Sequence, residues 1–198
     1  MKGTAKIAAA ALTALWIAGC AVKQVPPTRY YALDFTPSRH QTAQTPRFDT
    51  LKIVTADPTR IALSTALFYR RDNLLQPYAY SRWSETPLSM VENILAVALK
   101  EAHVARHVVT ADSRARADAL LEISLLDFSQ LFTPHRPSAG HMLLKAALID
   151  PKTGQVIRSR LFEASREAPT PDAEGGVTAL QRCTEAVIAE MTAWLAQR

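Results

Sequence analysis

Apolar residues recur along the chain with two periods, and each period predicts a different kind of element. In the helical period, apolar positions lie three or four residues apart on one side of a helix. The first such stripe consists of Leu88, Val91, Leu95, Ala98, Leu99 and Ala102, and the second of Val177, Leu180, Cys183, Val187, Met191 and Trp194. Thr86 and Pro87 suit the N-cap and first turn of the first helix. The sequence therefore predicts two long helices.

Alternation of apolar and polar residues predicts the strands. The β-prone segments are 30–33, 51–55, 65–70, 77–83, 107–110, 119–128, 142–149 and 155–164. Residues 71–73 suit a turn, and Asp150-Pro-Lys-Thr-Gly154 supplies the proline and glycine of a tight hairpin. This order predicts an α+β fold, with a mostly antiparallel β-sheet and two helices packed on one face.

The N-terminus has the three parts of a signal peptide. Lys2 and Lys6 provide the positive start, and residues 7–18 form an uncharged apolar run that is too short to span a membrane. The run ends in Ile17-Ala18-Gly19-Cys20, which resembles the lipobox of bacterial lipoproteins. The resemblance implies that residues 1–19 are removed and that Cys20 carries covalent lipid.

The residues after Cys20 predict a tether and a location. Residues 20–29 form the lipidated tether, in which Pro26-Pro27 favours an extended backbone, and residues 30–198 form the folded domain. Ala21 follows Cys20, where an Asp would imply retention at the inner membrane. We therefore expect a lipid-anchored protein at the outer membrane that faces the periplasm.

Composition and charge indicate a globular domain without nucleic-acid affinity. The 198 residues are 48% hydrophobic and 21% charged. Once Lys2 and Lys6 leave with the signal, 21 of the 23 basic side chains remain against 18 acidic ones. They are scattered, whereas a nucleic-acid binder would cluster them. Cys183 is the only other cysteine and is expected to be a buried, inert thiol.

The chain carries no motif for a metal, cofactor or catalytic nucleophile. It contains no phosphate loop, no glycine-rich dinucleotide turn and no paired-cysteine metal box. His103 and His107 are four residues apart, but no acidic or cysteine ligand accompanies them, so we predict no metal site. His135 and His141 flank a proline-containing loop and are expected to be solvated. Asp127 lacks a neighbouring strained nucleophile, and no enzymatic activity is expected.

Residues 78–85 form the stretch richest in potential binding residues. As a strand, it would put Tyr78, Tyr80 and Arg82 on one face and Trp83 on the other. Exposed Tyr and Arg are favoured at interfaces, so these three residues are a candidate partner-binding patch. Cross-strand pairing on a solvated face accounts for them equally well. Trp83 is expected to pack in the core beneath the first helix.

The chain resembles the ABC-type transport auxiliary lipoproteins, the PqiC-like outer-membrane components of lipid transport systems built on MCE proteins. The residues that carry the resemblance are Cys20 in its box, Tyr30-Tyr31-Ala-Leu33-Asp34, Leu51-Lys-Ile53, Leu67-Phe-Tyr-Arg70, Tyr80-Ser-Arg82-Trp83-Ser-Glu85-Thr-Pro87-Leu88, the segment from Ala117 to Phe128, and the 150–154 hairpin. The segment 60–66 departs from the pattern, because it lacks the proline expected before the next strand.

The resemblance implies a non-enzymatic role in lipid transport. The acyl chains on Cys20 would hold the domain on the membrane, and the domain would dock the periplasmic MCE protein of an ABC system, either as a single copy or as a homo-oligomer. An exposed sheet edge is one route for docking. Two alternatives stay open: an assembly factor or chaperone for an envelope complex, and a lipid carrier with its own apolar cavity.

Overall fold

The computed structural model describes residues 25–34 and 45–197. This part of the chain forms eight strands and three helices. The strands are β1 (Arg29–Tyr31), β2 (Phe48–Thr55), β3 (Ala66–Arg71), β4 (Leu74–Trp83), β5 (Ala105–Val109), β6 (Ala119–Phe132), β7 (Ala139–Ile149) and β8 (Val156–Glu167). The helices are α1 (Arg60–Leu63), α2 (Pro87–Glu101) and α3 (Ala173–Ala196).

The long strand β6 is the centre of one branched sheet. Along one edge it pairs with β7, and β8 follows outward from β7. Along the other edge, the first part of β6 pairs with β2, which pairs with β5. The last part of β6 pairs with β3, which is followed by β4 and β1. The short helix α1 lies at the division between these two branches, where Thr59 Oγ1 donates to the carbonyl of Leu125 at 2.9 Å.

The sheet is mixed, so the prediction of a mostly antiparallel sheet is wrong. The pairs β1–β4, β2–β5, β2–β6 and β3–β6 are parallel, whereas β3–β4, β6–β7 and β7–β8 are antiparallel. Parallel pairing requires a connection that returns the chain to the end at which the previous strand began. Residues 56–65, which include α1, provide one such connection between β2 and β3, and residues 110–118 provide another between β5 and β6.

The two long helices begin at local capping signals. Thr86 Oγ1 accepts a hydrogen bond from the Ser89 amide at 3.3 Å, and Asp172 Oδ1 accepts one from the Gly175 amide at 2.9 Å. Both helices contribute to one apolar core that also contains the inward-facing residues of β6 and β7. Trp83 is buried in this core, as expected, with its ring centroid 5.5 Å from that of Phe128. Among the described helices, none is long and apolar enough to cross a membrane.

Helix α3 packs directly against β7 at Gly140, where the lack of a side chain leaves room for the helix backbone. A Cβ atom at Gly140 would lie 2.7 Å from the backbone carbon of Ala179 and from the backbone nitrogen of Leu180. The thiol of Cys183 donates to the carbonyl of Gly140 at 3.3 Å. Burial raises the pKa of this thiol to about 11, which disfavours the reactive thiolate, and the prediction that Cys183 is buried is confirmed.

Candidate functional site

Cys20 lies outside the described residues, but the end of its tether contacts the folded domain. Pro26 and Pro27 line a cleft of about 280 Å³ together with Tyr80 and the first residues of α3. Arg29 Nη1 lies 3.7 Å from a carboxylate oxygen of Glu174 on α3, and both side chains are exposed. Strand β1 then joins the sheet beside β4. The described end of the predicted tether, residues 25–29, therefore lies against the domain beside the N-terminus of α3.

Tyr78 belongs to an aromatic cluster at the edge of the core. Its ring centroid lies 4.8 Å from that of Tyr69, and Tyr69 lies 5.7 Å from Phe132. The Tyr78 hydroxyl donates to Gln130 Oε1 at 2.7 Å. Burial is the main reason that the pKa of Tyr78 is raised to about 12. Tyr78 therefore has a structural contact that its replacement would break.

Tyr80 and Arg82 lie in different surroundings from Tyr78. Tyr80 is 44% exposed and lines the cleft beside the tether. Arg82 turns back on its own strand, and its Nη1 donates to the carbonyls of Tyr78 and Ser81. The β3–β4 pair shifts register between Ala66 and Phe68, so simple alternation does not describe this stretch. Partner binding by Tyr78, Tyr80 and Arg82 stays a prediction.

A polar cluster that the sequence analysis did not find surrounds Asp127. Asp127 is buried, and its carboxylate accepts hydrogen bonds from Ser129 Oγ at 2.8 Å and His141 Nδ1 at 3.2 Å. Arg70 Nη2 lies 2.9 Å from Asp127 Oδ2. The second ring nitrogen of His141 lies 3.0 Å from Glu163 Oε1. The expectation of a solvated His141 is wrong, whereas His135 is exposed.

The charges within this cluster stabilise each other. Carboxylates only accept hydrogen bonds, so His141 bridges Asp127 and Glu163 best as an imidazolium that donates from both nitrogens. The hydrogen bond to Asp127 is the main reason that the pKa of His141 is raised. Burial alone would raise the pKa of Asp127, but hydrogen bonds from His141 and Ser129 and the charge of Arg70 outweigh it and lower that pKa.

The geometry of the cluster is that of an ion-pair network rather than a nucleophile with its base. Ser129 directs its hydroxyl proton to Asp127, so the proton is not given to the imidazole of His141. His141 has a carboxylate at each ring nitrogen. Activation of a serine would need one of these nitrogens free to take the hydroxyl proton. The cluster therefore holds β3, β6, β7 and β8 together.

We expect the cluster to make folding stability depend on pH in a defined direction. Because the pKa of His141 is raised in the folded state, its contribution is complete below its ordinary pKa and is lost as the pH rises through the folded value. The contribution of Asp127 is present above its ordinary pKa and is lost as the pH falls. The wild type should therefore have a higher free energy of unfolding at pH 6 than at pH 8.5 in urea titrations.

The control for this pH dependence is His141→Gln, which leaves the three other histidines of the described residues in place. The variant should be less stable than the wild type at pH 6, and the difference should shrink at pH 8.5. If the free energy of unfolding of His141→Gln changes with pH as much as that of the wild type, His141 does not titrate as the cluster requires.

Strand β8 has one unpaired edge within the described part of the chain. Its 12 residues pair with β7 on one side, and the sheet has no described strand beyond it. Three large aliphatic side chains at or near this edge are more than half exposed: Val156, Ile157 and Leu161. An unpaired edge with exposed aliphatic residues is suited to pairing with another chain.

Sequence comparison identifies one family model along most of the chain. The model is that of the ABC-type transport auxiliary lipoprotein component, and it matches residues 31–192. A search among curated protein sequences gives no match. The matched range begins at the last residue of β1 and ends within α3, so it includes the strands β2 to β8 in full.

Solved structures of low sequence identity share the fold. A Xanthomonas campestris protein of the DUF330 family has a TM-score of 0.75 and 21% identity, covering 84% of this chain and 94% of its own. A PelC dodecamer from Paraburkholderia phytofirmans has a TM-score of 0.50 and 17% identity, covering 80% of this chain and 96% of its own. The branched mixed sheet with its helices is therefore a fold that these bacterial proteins have in common.

Proposed function

Because the chain belongs to the ABC-type transport auxiliary lipoprotein family, we propose that it docks the periplasmic MCE component of a lipid transport system at the outer membrane. The family match over residues 31–192 is the observation that carries this proposal. The family is an auxiliary component of transport rather than a family of enzymes, and as a lipoprotein family it implies membrane anchoring.

In this proposal, the lipid at the N-terminus and the folded domain that follows it have different roles. Acyl chains on Cys20 supply the attachment to the outer membrane, and the domain supplies the binding surface for the MCE protein. Phospholipid is then the cargo of the whole system, and the lipoprotein contributes a fixed docking point at the receiving membrane. Several copies side by side would increase the avidity of docking. PelC, which has a similar fold, forms a dodecamer, and we extend such assembly to this chain as part of the proposal.

Packing in the core favours docking over carriage of lipid by the domain itself. The side chains between helices and sheet include Leu121, Ile123, Leu125 and Phe128, all with no exposed surface. A carrier would need space for an acyl chain at this position. The two clefts described at the surface are small, at about 280 and 310 Å³. The core residues are therefore arranged for stability, and the surface is where a partner would bind.

The unpaired edge of β8 is the surface that we expect to bind the MCE protein. The double variant Ile157→Lys with Leu161→Lys should bind a purified MCE periplasmic domain about thirtyfold more weakly, because each of the two aliphatic side chains that is buried on binding contributes roughly 1 kcal/mol. Both residues are more than half exposed. Their replacement should change the free energy of unfolding by no more than about 0.5 kcal/mol.

A matched control variant replaces two exposed aliphatic residues by lysine elsewhere on the surface. Leu63 on α1 and Val97 on α2 are 55% and 45% exposed. The double variant Leu63→Lys with Val97→Lys adds the same two charges away from β8 and should bind like the wild type. Equal affinity of both double variants would exclude the β8 edge. In a pull-down from membranes, recovery of an envelope assembly partner instead of an MCE protein would favour the assembly-factor alternative.

A further inference from the structure

The tether enters the domain at one particular end. Strand β1 is parallel to β4, with Arg29 opposite Ser81 and Tyr31 opposite Trp83. Since β4 runs away from the β3–β4 turn, the chain that precedes β1 runs back toward that turn. Pro26 and Pro27 lie along this path, against Tyr80 and the start of α3. Val25, the first described residue, is therefore nearer to the turn than β1 is.

Three connections meet at this end of the molecule, which we name the anchor end. They are the β3–β4 turn at 72–73, the β6–β7 loop at 133–138 and the loop at 168–172 before α3. Arg71 pairs with both Leu74 and Phe132, which places the β3–β4 turn beside the start of the β6–β7 loop. The amide of Ala168 donates to the carbonyl of Ser138 at 2.8 Å, which connects the loop before α3 to the β6–β7 loop.

The opposite end, which we name the far end, contains the β7–β8 turn at 150–155 and the starts of β2 and β5. Phe48 pairs with Ala105, and Val156 pairs with Ile149 at this end of the sheet. Arg158 Nη2 donates to the carbonyl of Trp194 at 2.6 Å, so the C-terminal end of α3 lies at the far end as well. The two ends are separated by the length of β6, which has 14 residues and spans about 46 Å.

The short chain between Cys20 and Val25 limits which end can approach the membrane. Five residue steps, fully extended, span at most about 18 Å. Lipid on Cys20 holds that residue at the membrane surface, so Val25 lies within that distance of it. We propose that the anchor end rests on the lipid headgroups and that the far end points away from the membrane. This orientation rests on the proposed lipidation of Cys20 and adds the face of the domain that contacts lipid.

Exposed side chains at the anchor end suit a membrane interface. Leu74 is 57% exposed beside the β3–β4 turn, and Tyr80 is 44% exposed next to the tether. Tyrosine is favoured at the interface because its ring is apolar and its hydroxyl is polar. Arg71 and Arg136 are also exposed here and can pair with lipid phosphates. The surface therefore offers both apolar and phosphate-binding contacts to a headgroup layer.

An aromatic cleft of about 310 Å³ opens at the same end. Its lining includes Tyr69, Tyr78, Phe132 and Pro171, together with Arg71. The guanidinium carbon of Arg71 lies 5.4 Å from the centroid of the Phe132 ring, so the charge is held at the rim of an aromatic surface. The far end also has exposed aliphatic side chains, Val156 and Ile157, but the described end of the tether does not lie there. Proximity to the tether therefore indicates which end approaches the membrane, and the surface at that end suits contact with lipid headgroups.

The test compares two fluorescent labels at opposite ends of the full lipidated chain. Asn73→Cys lies in the β3–β4 turn and Lys152→Cys in the β7–β8 turn; both positions are exposed, and Cys183 is buried. Each variant is labelled at its new thiol and reconstituted in phosphatidylethanolamine–phosphatidylglycerol vesicles that contain a lipid with a nitroxide on its headgroup. Because nitroxide quenching acts over a short range, we expect quenching at position 73 to be at least threefold that at position 152.

Flotation of the protein with the vesicles is measured first, so that the test of the lipid anchor is separate from the test of the orientation. Flotation with equal quenching at both positions, or with stronger quenching at position 152, would overturn the orientation and leave the anchor intact. A lipoprotein that does not float with vesicles would overturn the anchor and the orientation together. Neither result depends on the MCE protein, so the outcome is independent of the docking experiment.

Discussion

Replacing Cys20 with Ser is expected to remove the covalent lipid and, with it, the stable attachment of the mature domain to the membrane. Each buried methylene of an acyl chain contributes about 0.8 kcal/mol, so two or more chains form an anchor that rarely dissociates. The loss should therefore be nearly complete, which makes it the largest single effect we predict.

Mass spectrometry of the N-terminal peptide is the direct measurement. The wild-type peptide should begin at Cys20 and carry acyl chains, whereas the serine variant should carry none. A serine variant that keeps its own residues 1–19 can remain membrane-bound through residues 7–18, so fractionation uses the variant behind the leader of a soluble secreted protein. Lipid-free Cys20 in the wild type, or sedimentation of that second variant with membranes, would contradict the prediction.

Replacing Gly140 with Val should destabilise the fold by about 3 kcal/mol, because the new side chain would enter the space of a helix backbone. The nearest atoms to a Cβ at this position are backbone atoms of Ala179 and Leu180, at 2.7 Å. Backbone cannot rotate away as a flexible side chain can, so α3 must move from β7. Such a movement would also separate Cys183 from the carbonyl of Gly140.

The comparison for Gly140→Val is Lys145→Val on the same strand. Lys145 is exposed, so this variant introduces the same β-branched residue without entering the core and should alter stability by no more than about 0.5 kcal/mol. The two free energies of unfolding are measured by urea titration. A cost below about 1 kcal/mol for Gly140→Val would mean that α3 does not pack as closely on β7 as described.

Elements with local sequence signals were predictable. The Thr86 cap and Pro87 place the start of α2, and the Thr86 hydroxyl accepts the amide hydrogen bond that this motif predicts. The turn between β7 and β8 lies at Asp150–Gly154, where Gly154 has a φ of 71° that glycine adopts without strain. Such signals depend on residues a few positions apart, so the sequence contains the information needed to recognise them.

Strand direction was not predictable because alternation is the same in parallel and antiparallel pairs. The contact of Leu51 with Ala119 and that of Arg70 with Leu131 link distant segments with no marker in either sequence. The helix α1 was missed for a related reason. Its four residues are too few for a helical period, and only the Thr59 cap, which accepts from the amide of Ala62, marks it.

The polar cluster was hidden by a bulge in β6. The pairing of β6 with β7 shifts register between Leu125 and Asp127. One additional residue moves all later side chains to the opposite face, so Asp127 leaves the face occupied by Leu125 and meets His141 and Arg70. A signal did exist in the form of an Asp within an apolar strand, since a buried carboxylate needs a partner. The identity of that partner required the fold.

The central claim is that this lipoprotein docks an MCE protein, and a pull-down from bacterial membranes tests it most directly. The tagged wild type is solubilised in mild detergent beside the Cys20→Ser form behind the leader of a soluble secreted protein, and co-purifying proteins are identified by mass spectrometry. We expect the wild type to recover an MCE protein and the serine form, which is not attached to the membrane, to recover much less. A wild type that is lipidated and membrane-bound but recovers a barrel protein, or no MCE protein, would contradict it.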